Sequence, residues 1–202
     1  MEIGLYMDKY RDARYNLFRW RHELDLFYKI ALALVFACCT GLMAQVRVFT
    51  PFTPVPITGQ VFAVLLAGIL LGKRYGGLSQ IFYVGIGAAG IPWFASGASG
   101  IGYLSGVTGG YLVGFIAAAF VIGHLTDGYA SLRKLPGQLT LMMIGVLIIY
   151  AFGAVWLSMV LQTGFEETMA LSVIPFVPID IAKAAIAAGI AFGILPKTPY
   201  SG

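Results

Sequence analysis

Ile174-Pro175-Phe176-Val177-Pro178-Ile179-Asp180-Ile181-Ala182-Lys183 places an acid and a base at the start of an apolar run that continues to Leu195. Asp180 and Lys183 are three residues apart, so on a helix they lie on the same face. Ionisable residues in a segment apolar enough to enter a bilayer are costly, and they indicate a functional site in which each is the other's partner. A second interpretation is that Asp180 caps the helix start after Pro178 and that Lys183 only pairs with it. Both interpretations can hold at once.

The composition indicates a polytopic membrane protein. Of the 202 residues, 59% are hydrophobic and 11% are charged, and the mean hydropathy is +0.85. A soluble domain averages about 45–50% apolar and about 25% charged residues. The net charge of +4 could suit nucleic acid, but the basic residues lie beside apolar runs rather than in one patch. Membrane topology explains them better, and no nucleic-acid partner is expected.

Six apolar runs predict an all-α integral membrane fold with six transmembrane helices. The predicted spans are residues 30–46, 57–72, 77–90, 109–125, 138–161 and 179–195. Residues 1–27 stay charged throughout, unlike a signal peptide, which predicts an extra cytoplasmic or interfacial helix that is not cleaved. The chain is therefore divided into a polar N-terminal segment, 1–27, and a membrane domain, 28–202.

Two segments between the spans are predicted to be irregular. Residues 47–56 hold three prolines, which remove backbone donors and favour extended conformations in their neighbours. Residues 91–108 are apolar but carry Pro92 and four glycines. Irregular backbone at membrane depth is tolerated only where it is buried in protein or lines a cavity. The second segment is therefore expected to form a lid or a pocket wall.

The distribution of basic residues predicts the orientation. Eleven of the thirteen Lys and Arg residues lie in the N-terminal region, in the turns at 73–74 and 133–134, and in the C-terminal tail. Six spans place these four regions on one side, which the positive-inside rule predicts to be the cytoplasm, together with both termini. The exceptions, Arg47 and Lys183, are predicted to lie in the half of the membrane domain that faces outward. The sequence therefore predicts a pocket that opens outward.

Catalytic chemistry is not indicated. The two histidines, His22 and His124, are distant in sequence, and the adjacent Cys38 and Cys39 are expected to pack as small hydrophobes. No metal cluster and no nucleophile with its base can be assembled from these residues, and no cofactor is expected. GIGAAG at 85–90 fits the dinucleotide pattern, but it lies inside an apolar span and is rejected.

Four further side chains are pocket candidates. Trp93, Phe94 and Tyr103 lie on the glycine-rich segment, where they would either line a pocket or belong to the aromatic belt of the membrane interface. Gln60 lies early in the second predicted span. It faces either a neighbouring helix or the pocket, and the pattern favours neither.

Three motifs, taken together, point to a known family. They are VPITGQ at 55–60, GIPWF at 90–94 continuing to GVTGGYLVGF at 106–115, and PFVPIDIAK at 175–183. With them the sequence resembles the biotin-specific membrane subunits, the S components of the BioY family, of energy-coupling-factor (ECF) vitamin importers. The resemblance covers nearly all of the chain except the N-terminal segment. It implies a six-helix S-component fold in the cell membrane, without enzymatic activity, that captures biotin on the outer face. Uptake would be driven by a transmembrane coupling subunit and two ATPase subunits.

The resemblance also implies residue roles. Gln60, Asp180 and Lys183 carry over as biotin-contacting positions, and Trp93 and Phe94 as pocket wall. The ureido ring of biotin needs an acceptor for its N–H groups and a donor for its carbonyl, which these polar side chains can supply.

The sequence departs from the family pattern at three positions. Val107 stands where the family usually has proline, Ile179 where it often has glycine, and Leu112 where some members carry arginine. Arg47 and Lys183 then remain as the basic candidates for the biotin carboxylate.

The first span carries a small-residue motif, ALVFA at 33–37. It matches the AxxxA pattern with which such subunits dock on the coupling protein, so Ala33 and Ala37 are expected to face that partner. Two other interpretations stay open: an S component for another small vitamin, and a membrane enzyme, which would need a catalytic cluster that the sequence lacks.

Overall fold

The fold is a bundle of α-helices, shown by a computed structural model that describes residues 2–198. The helices are α1 (Glu2–Glu23), α2 (Leu26–Gln45), α3 (Gln60–Ala88), α4 (Ile101–Leu104), α5 (Gly109–Gly128), α6 (Leu135–Leu161), α7 (Phe165–Ser172) and α8 (Val177–Ile194). Short 3-10 turns lie at Ala95–Gly97 and Ala130–Arg133. The last four residues of the predicted membrane domain, 199–202, lie outside the described part, as does Met1.

Five of the described helices are long and apolar enough to cross a membrane: α2, α3, α5, α6 and α8. The prediction of an all-α membrane fold with an extra N-terminal helix is confirmed. The segment at residues 91–108 lacks a long helix, as predicted. It contains only a 3-10 turn and the four-residue α4.

A two-stranded ribbon closes the proline-rich segment. Strands β1 (Arg47–Val48) and β2 (Ile57–Thr58) pair antiparallel, with Arg47 opposite Thr58. The prediction of an irregular segment missed these strands, because two residues are too few to show alternation. The ribbon fixes the position of Thr58, two residues before the start of α3.

Helix α3 contains a reversal that the sequence predicted as a turn. Gly72 has φ 75° and ψ −173°, which breaks the helix into residues 60–71 and 73–88. A Cβ added at Gly76 would lie 3.0 Å from the carbonyl oxygen of Ala67, so the chain folds back on itself there. Each half is shorter than the about 20 residues that a full span needs. The count of six spans therefore stays a prediction.

The core lies between α3, α5 and α6, and glycines allow these helices to approach closely. A Cβ at Gly68 would lie 2.8 Å from the carbonyl oxygen of Ala119, and one at Gly114 would lie 3.0 Å from Cα of Ile149. Small residues at helix contacts are typical of membrane bundles, where van der Waals packing drives helix association.

Helix α1 packs across one end of the bundle. Arg14 donates to the carbonyl oxygen of Phe192, at 2.8 Å, and to that of Leu195, so it satisfies acceptors at the C-terminal end of α8. Arg21 forms an ion pair with Asp127 and donates to the carbonyl oxygen of Ile69 at 3.0 Å, just before the break in α3. These contacts hold α1 at the end of the bundle where α8 finishes and α3 reverses.

We predict that Gly72→Ala destabilises the protein. The observed φ and ψ belong to a region that essentially only glycine adopts, and a side chain there would meet the Asp127 carboxylate. The expected loss is about 1–3 kcal/mol, seen as a lower midpoint of thermal unfolding in detergent. Gly85→Ala is the control, because Gly85 lies in the same helix with nothing within 4 Å of an added Cβ. Equal midpoints for the two variants would contradict the prediction.

Candidate functional site

A cavity lies at the other end of the bundle, where α3 and α8 begin. It has a volume of about 510 Å³, counting the part open to solvent. Its polar lining residues are Thr58, Gln60, Tyr103, Thr108, Tyr111, Tyr150, Asp180 and Lys183, and its apolar lining residues are Val55, Pro56, Val61, Ala95, Leu112, Phe115, Ile149 and Phe176. Four of the residues predicted from the sequence, Gln60, Tyr103, Asp180 and Lys183, are therefore brought together.

Asp180 is the centre of the polar side of this cavity. Its side chain is 2% exposed. One carboxylate oxygen accepts from the Lys183 ammonium at 2.7 Å, and the other accepts from the Tyr150 hydroxyl at 2.9 Å. Lys183 also donates to the carbonyl oxygen of Thr58 at 2.6 Å. The predicted acid–base pair is thus formed, and it joins α8 to α6 and to the ribbon.

The capping interpretation of Asp180 is not supported. Helix α8 begins at Val177, its N-cap residue is Phe176, and no side-chain capping hydrogen bond is found there among the described residues. Asp180 lies in the first turn, where the helix dipole favours a carboxylate, but its hydrogen bonds go to Lys183 and Tyr150.

Gln60 contacts both the cavity and a neighbouring helical segment, so the two sequence alternatives hold together. Its Nε2 donates to the Tyr83 hydroxyl at 2.7 Å, and its Oε1 accepts from the Thr58 hydroxyl at 3.0 Å. Tyr83 lies in the second half of α3, so this contact ties the two halves together. These two contacts hold the Gln60 side chain in place.

The loop aromatics form two layers. Tyr103 lines the cavity, and the Phe94 ring stacks behind it with centroids 5.0 Å apart and planes at 18°. Phe94 is fully buried and also meets the Tyr83 ring edge-on at 5.4 Å. Trp93 donates from Nε1 to the carbonyl oxygen of Tyr83 at 2.9 Å. Trp93 and Phe94 therefore support the wall from behind.

Gly87 leaves space for the Phe94 and Trp93 rings behind the cavity wall. A Cβ at Gly87 would overlap the Phe94 ring and lie 2.7 Å from Nε1 of Trp93. Gly87 belongs to the GIGAAG stretch, so the glycine pattern there serves the packing of a loop against a helix.

Tyr103 has a perturbed titration. Burial raises the pKa of its phenol above the ordinary value, against the opposing effects of a hydrogen bond with Thr108 and of the Arg47 charge. The phenol is therefore neutral at physiological pH. Arg47 itself lies outside the cavity lining, with Nη1 3.1 Å from Oε1 of Gln45 and its guanidinium 5.9 Å from the centre of the Phe49 ring.

Among the lining residues that sequence reasoning missed, Tyr150, Tyr111 and Thr58 make hydrogen bonds that shape the site. Tyr150 hydrogen-bonds Asp180, and Tyr111 donates to the carbonyl oxygen of Ser172 at 2.7 Å while lining the cavity. Thr58 supplies one acceptor to Lys183 and one donor to Gln60. A signal for Tyr150 was available: it is a phenol in the middle of the fifth predicted span, away from the interfaces where tyrosine usually lies.

The side chains of Ala33 and Ala37 are covered by other parts of this protein. Both are fully buried, on the face of α2 that also carries Thr40, and Thr40 accepts a hydrogen bond from Gln80 of α3 at 3.3 Å. The expected contact of these two residues with a coupling subunit stays a prediction. Small residues spaced four apart allow close packing, and here the space is filled by the same chain.

The structure shows no metal centre in the described range. Within residues 2–198 no group of three or more His, Cys, Asp or Glu side chains is close enough to hold an ion.

The fold and the site define a membrane protein whose helical bundle has a cavity with polar and aromatic lining at one end. The chain belongs to the BioY family, whose model matches residues 16–200.

Individual relatives agree with this assignment. "Probable biotin transporter BioY" of Methanothermobacter thermautotrophicus is 44% identical over 142 residues, which cover 67% of this chain and 90% of that protein. "Biotin transporter BioY" of Thermotoga maritima is 42% identical over 141 residues, covering 70% and 81%. A crystal structure of the S-component for biotin from an ECF-type ABC transporter matches with a TM-score of 0.76 and 24% identity, over 82% of this chain and 89% of that one. The S-component fold predicted from the sequence is confirmed.

We predict that Lys183→Met destabilises the protein more than a double variant that also carries Asp180→Asn. Without Lys183 the buried carboxylate keeps only the Tyr150 hydroxyl, and an uncompensated buried charge costs about 3–5 kcal/mol. Neutralising Asp180 in the same chain should recover much of the lost stability. Thermal unfolding without added ligand measures both.

Lys134→Met is the control for this comparison, because Lys134 is an exposed lysine without an ion pair among the described residues. A double variant that is no more stable than Lys183→Met would show that the pair is not coupled.

Proposed function

We propose that this protein is the biotin-specific S component of an ECF-type importer and that it captures biotin in the cavity around Asp180. The observation that carries the proposal is the buried Asp180–Lys183–Tyr150 group at the head of an otherwise mostly apolar cavity. Membership of the BioY family and the names of the relatives support the choice of biotin.

The hydrogen-bonding capacity left at the site suits a ureido ring. An ionised carboxylate accepts about four hydrogen bonds, and Asp180 receives two from the described chain. The lysine ammonium has three N–H donors, and Lys183 donates to Asp180 and to Thr58. Asp180 can therefore take the two N–H groups of a ureido ring, and Lys183 keeps one donor for its carbonyl.

The remaining lining suits the rest of biotin. Tyr103, Tyr111, Phe115 and Phe176 surround the cavity with aromatic surface. Ligand pockets are mostly apolar walls with a few polar anchors, which fits a thioether ring and a valeryl chain. Gln60, held by Thr58 and Tyr83, provides an additional polar contact. In this proposal Phe94 acts indirectly, by stacking against Tyr103, and Trp93 by tying the loop to Tyr83.

We assign the biotin carboxylate to Arg47. Lys183 is already engaged with two acceptors deep in the site, whereas Arg47 lies on the ribbon directly opposite Thr58, which lines the cavity. The ureido ring would then lie deep, against Asp180, and the valeryl chain would run toward the ribbon.

We further propose how the protein is oriented in the membrane and which subunits it works with. The basic residues at 73–74 and 133–134, with those of α1, lie at the end away from Asp180, which supports cytoplasmic termini and an outward-opening cavity. Biotin captured outside would then be passed inward by a coupling subunit and two ATPase subunits. This chain supplies recognition, and catalysis of ATP hydrolysis is left to the partners.

We predict that Asp180→Asn weakens biotin binding by roughly ten- to a hundred-fold or more. The variant replaces an acceptor with a donor, and leaving a buried ligand N–H unpaired costs about 1–3 kcal/mol, more where a charge was involved. Calorimetric titration of detergent-purified protein measures the dissociation constant.

Glu167→Gln is the matched control, because Glu167 is an exposed acid on α7. Unchanged biotin affinity in a folded Asp180→Asn protein would remove Asp180 from the site. Binding of thiamine or riboflavin in preference to biotin by the parent protein would overturn the choice of ligand.

We predict that Arg47→Gln removes the preference of the protein for biotin over biotin amide. The amide keeps the ureido ring and the chain but loses the negative charge. A hydrogen bond to a charged group contributes about 1.5–3 kcal/mol, so the parent should prefer biotin by roughly ten-fold or more, and the variant should bind both ligands equally. A preference that persists in Arg47→Gln but disappears in Lys183→Gln would reassign the carboxylate to Lys183.

A further inference from the structure

A second cavity lies at the end of the bundle opposite Asp180, where the last turn of α1 meets the break in α3. Its volume is about 690 Å³, counting the part open to solvent. Four lysine and arginine side chains line it together with His22, namely Arg21, Lys29, Lys73 and Arg74, against one acid, Asp127. Gly72 follows Gln60 by 12 residues of helix, so the two cavities are separated by about 18 Å along α3.

The single acid of this cavity is already engaged. Asp127 forms an ion pair with Arg21, and its other carboxylate oxygen accepts from the backbone N–H of Lys73 at 3.2 Å. Lys29, Lys73 and Arg74 have no ion-pair partner within the described chain. Three cations therefore face the cavity without compensating charge.

Two of these cations are held in place by contacts that do not neutralise them. The Lys29 ammonium donates to the carbonyl oxygen of His22 at 2.8 Å. The Lys73 ammonium lies 5.7 Å from the centre of the Phe120 ring. The chain thus orders a cluster of positive charge rather than dispersing it into solvent.

An apolar groove continues from the basic cavity between α3 and α5. Arg74 and Tyr75 belong to the walls of both, and the groove runs on past Ile81, Val113 and Phe120, with a volume of about 1160 Å³ including its open side. These three side chains are 50%, 45% and 43% exposed. Helix α5 is long and apolar enough to cross a membrane, and the groove residues that follow Tyr75 on α3 are apolar, so we expect the open groove between them to face acyl chains.

We propose that the basic cavity and this groove together bind one anionic phospholipid. Its phosphate lies among Lys29, Lys73 and Arg74, and an acyl chain follows the groove between α3 and α5. Basic pockets between transmembrane helices recognise anionic head groups, and lysine and arginine form charge-assisted hydrogen bonds with phosphate. The continuous groove favours a lipid over free phosphate, because an inorganic anion would leave the apolar surface uncovered.

Native mass spectrometry of the full chain, delipidated and mixed with dioleoyl phosphatidylglycerol, tests the proposal. The parent should retain one lipid, and Lys73→Gln with Arg74→Gln should weaken retention by roughly thirty-fold, from two basic residues near the head group. The matched control is Lys9→Gln with Lys134→Gln, which removes the same charge from exposed positions elsewhere and should retain the lipid like the parent. Equal losses in the two double variants, or no loss in the first, would overturn the proposal.

Three further probes separate the sources of the phosphate. Dioleoyl phosphatidylcholine should be retained more weakly than phosphatidylglycerol, and glycerophosphoglycerol and inorganic phosphate should not be retained. Retention of either chain-free anion as strongly as the lipid would show a phosphate site only and overturn the lipid assignment, and equal retention of phosphatidylcholine would remove the role of charge.

A single variant tests the proposal even if the double variant does not fold. Arg74→Gln changes one exposed side chain and should weaken lipid retention by about five-fold. Biotin binding measured on the same samples should stay at the parent level, since the two cavities lie at opposite ends. Loss of lipid with intact biotin binding supports the proposal, and parent-level lipid retention in a folded Arg74→Gln protein overturns it.

Discussion

The buried carboxylate of Asp180 is the constraint on which the rest of the site depends. A charge in an apolar bundle must be compensated, and here Lys183 and Tyr150 supply the donors at 2.7 and 2.9 Å. Lys183 in turn reaches the carbonyl oxygen of Thr58 at 2.6 Å. Because these partners come from three parts of the chain, satisfying one acid fixes α6, α8 and the ribbon relative to one another.

How far the sequence predicts this site depends on the distance between partners along the chain. Asp180 and Lys183 are three residues apart, so helical periodicity alone identifies their pair. Tyr150 lies 30 residues from Asp180, and Thr58 lies 125 from Lys183. Contacts of that kind follow from how α6 and the ribbon pack, which no local pattern contains.

The absence of long-range contacts from local sequence patterns also explains which features of the fold were predicted. Long apolar runs predicted α2, α5, α6 and α8, because a span is a property of one segment. The spacing of Ala33 and Ala37 also identified a packing face, but spacing does not say which helix fills it, and in this structure the same chain does. Residues 73–74 marked the reversal in α3, whereas the length of each half across a bilayer is not encoded in the pattern.

The polar groups that line the cavity are held by other parts of the chain. Gln60 is fixed by Thr58 and Tyr83, and Tyr103 is backed by the buried Phe94 ring. Holding donors and acceptors in place lowers the ordering cost of binding, so more of the interaction energy becomes affinity. The price is a buried ion pair that contributes little net stability, since desolvation offsets its attraction. A bundle built for stability alone would have apolar residues at these positions, whereas the proposed recognition of biotin gives Asp180 and Lys183 a role.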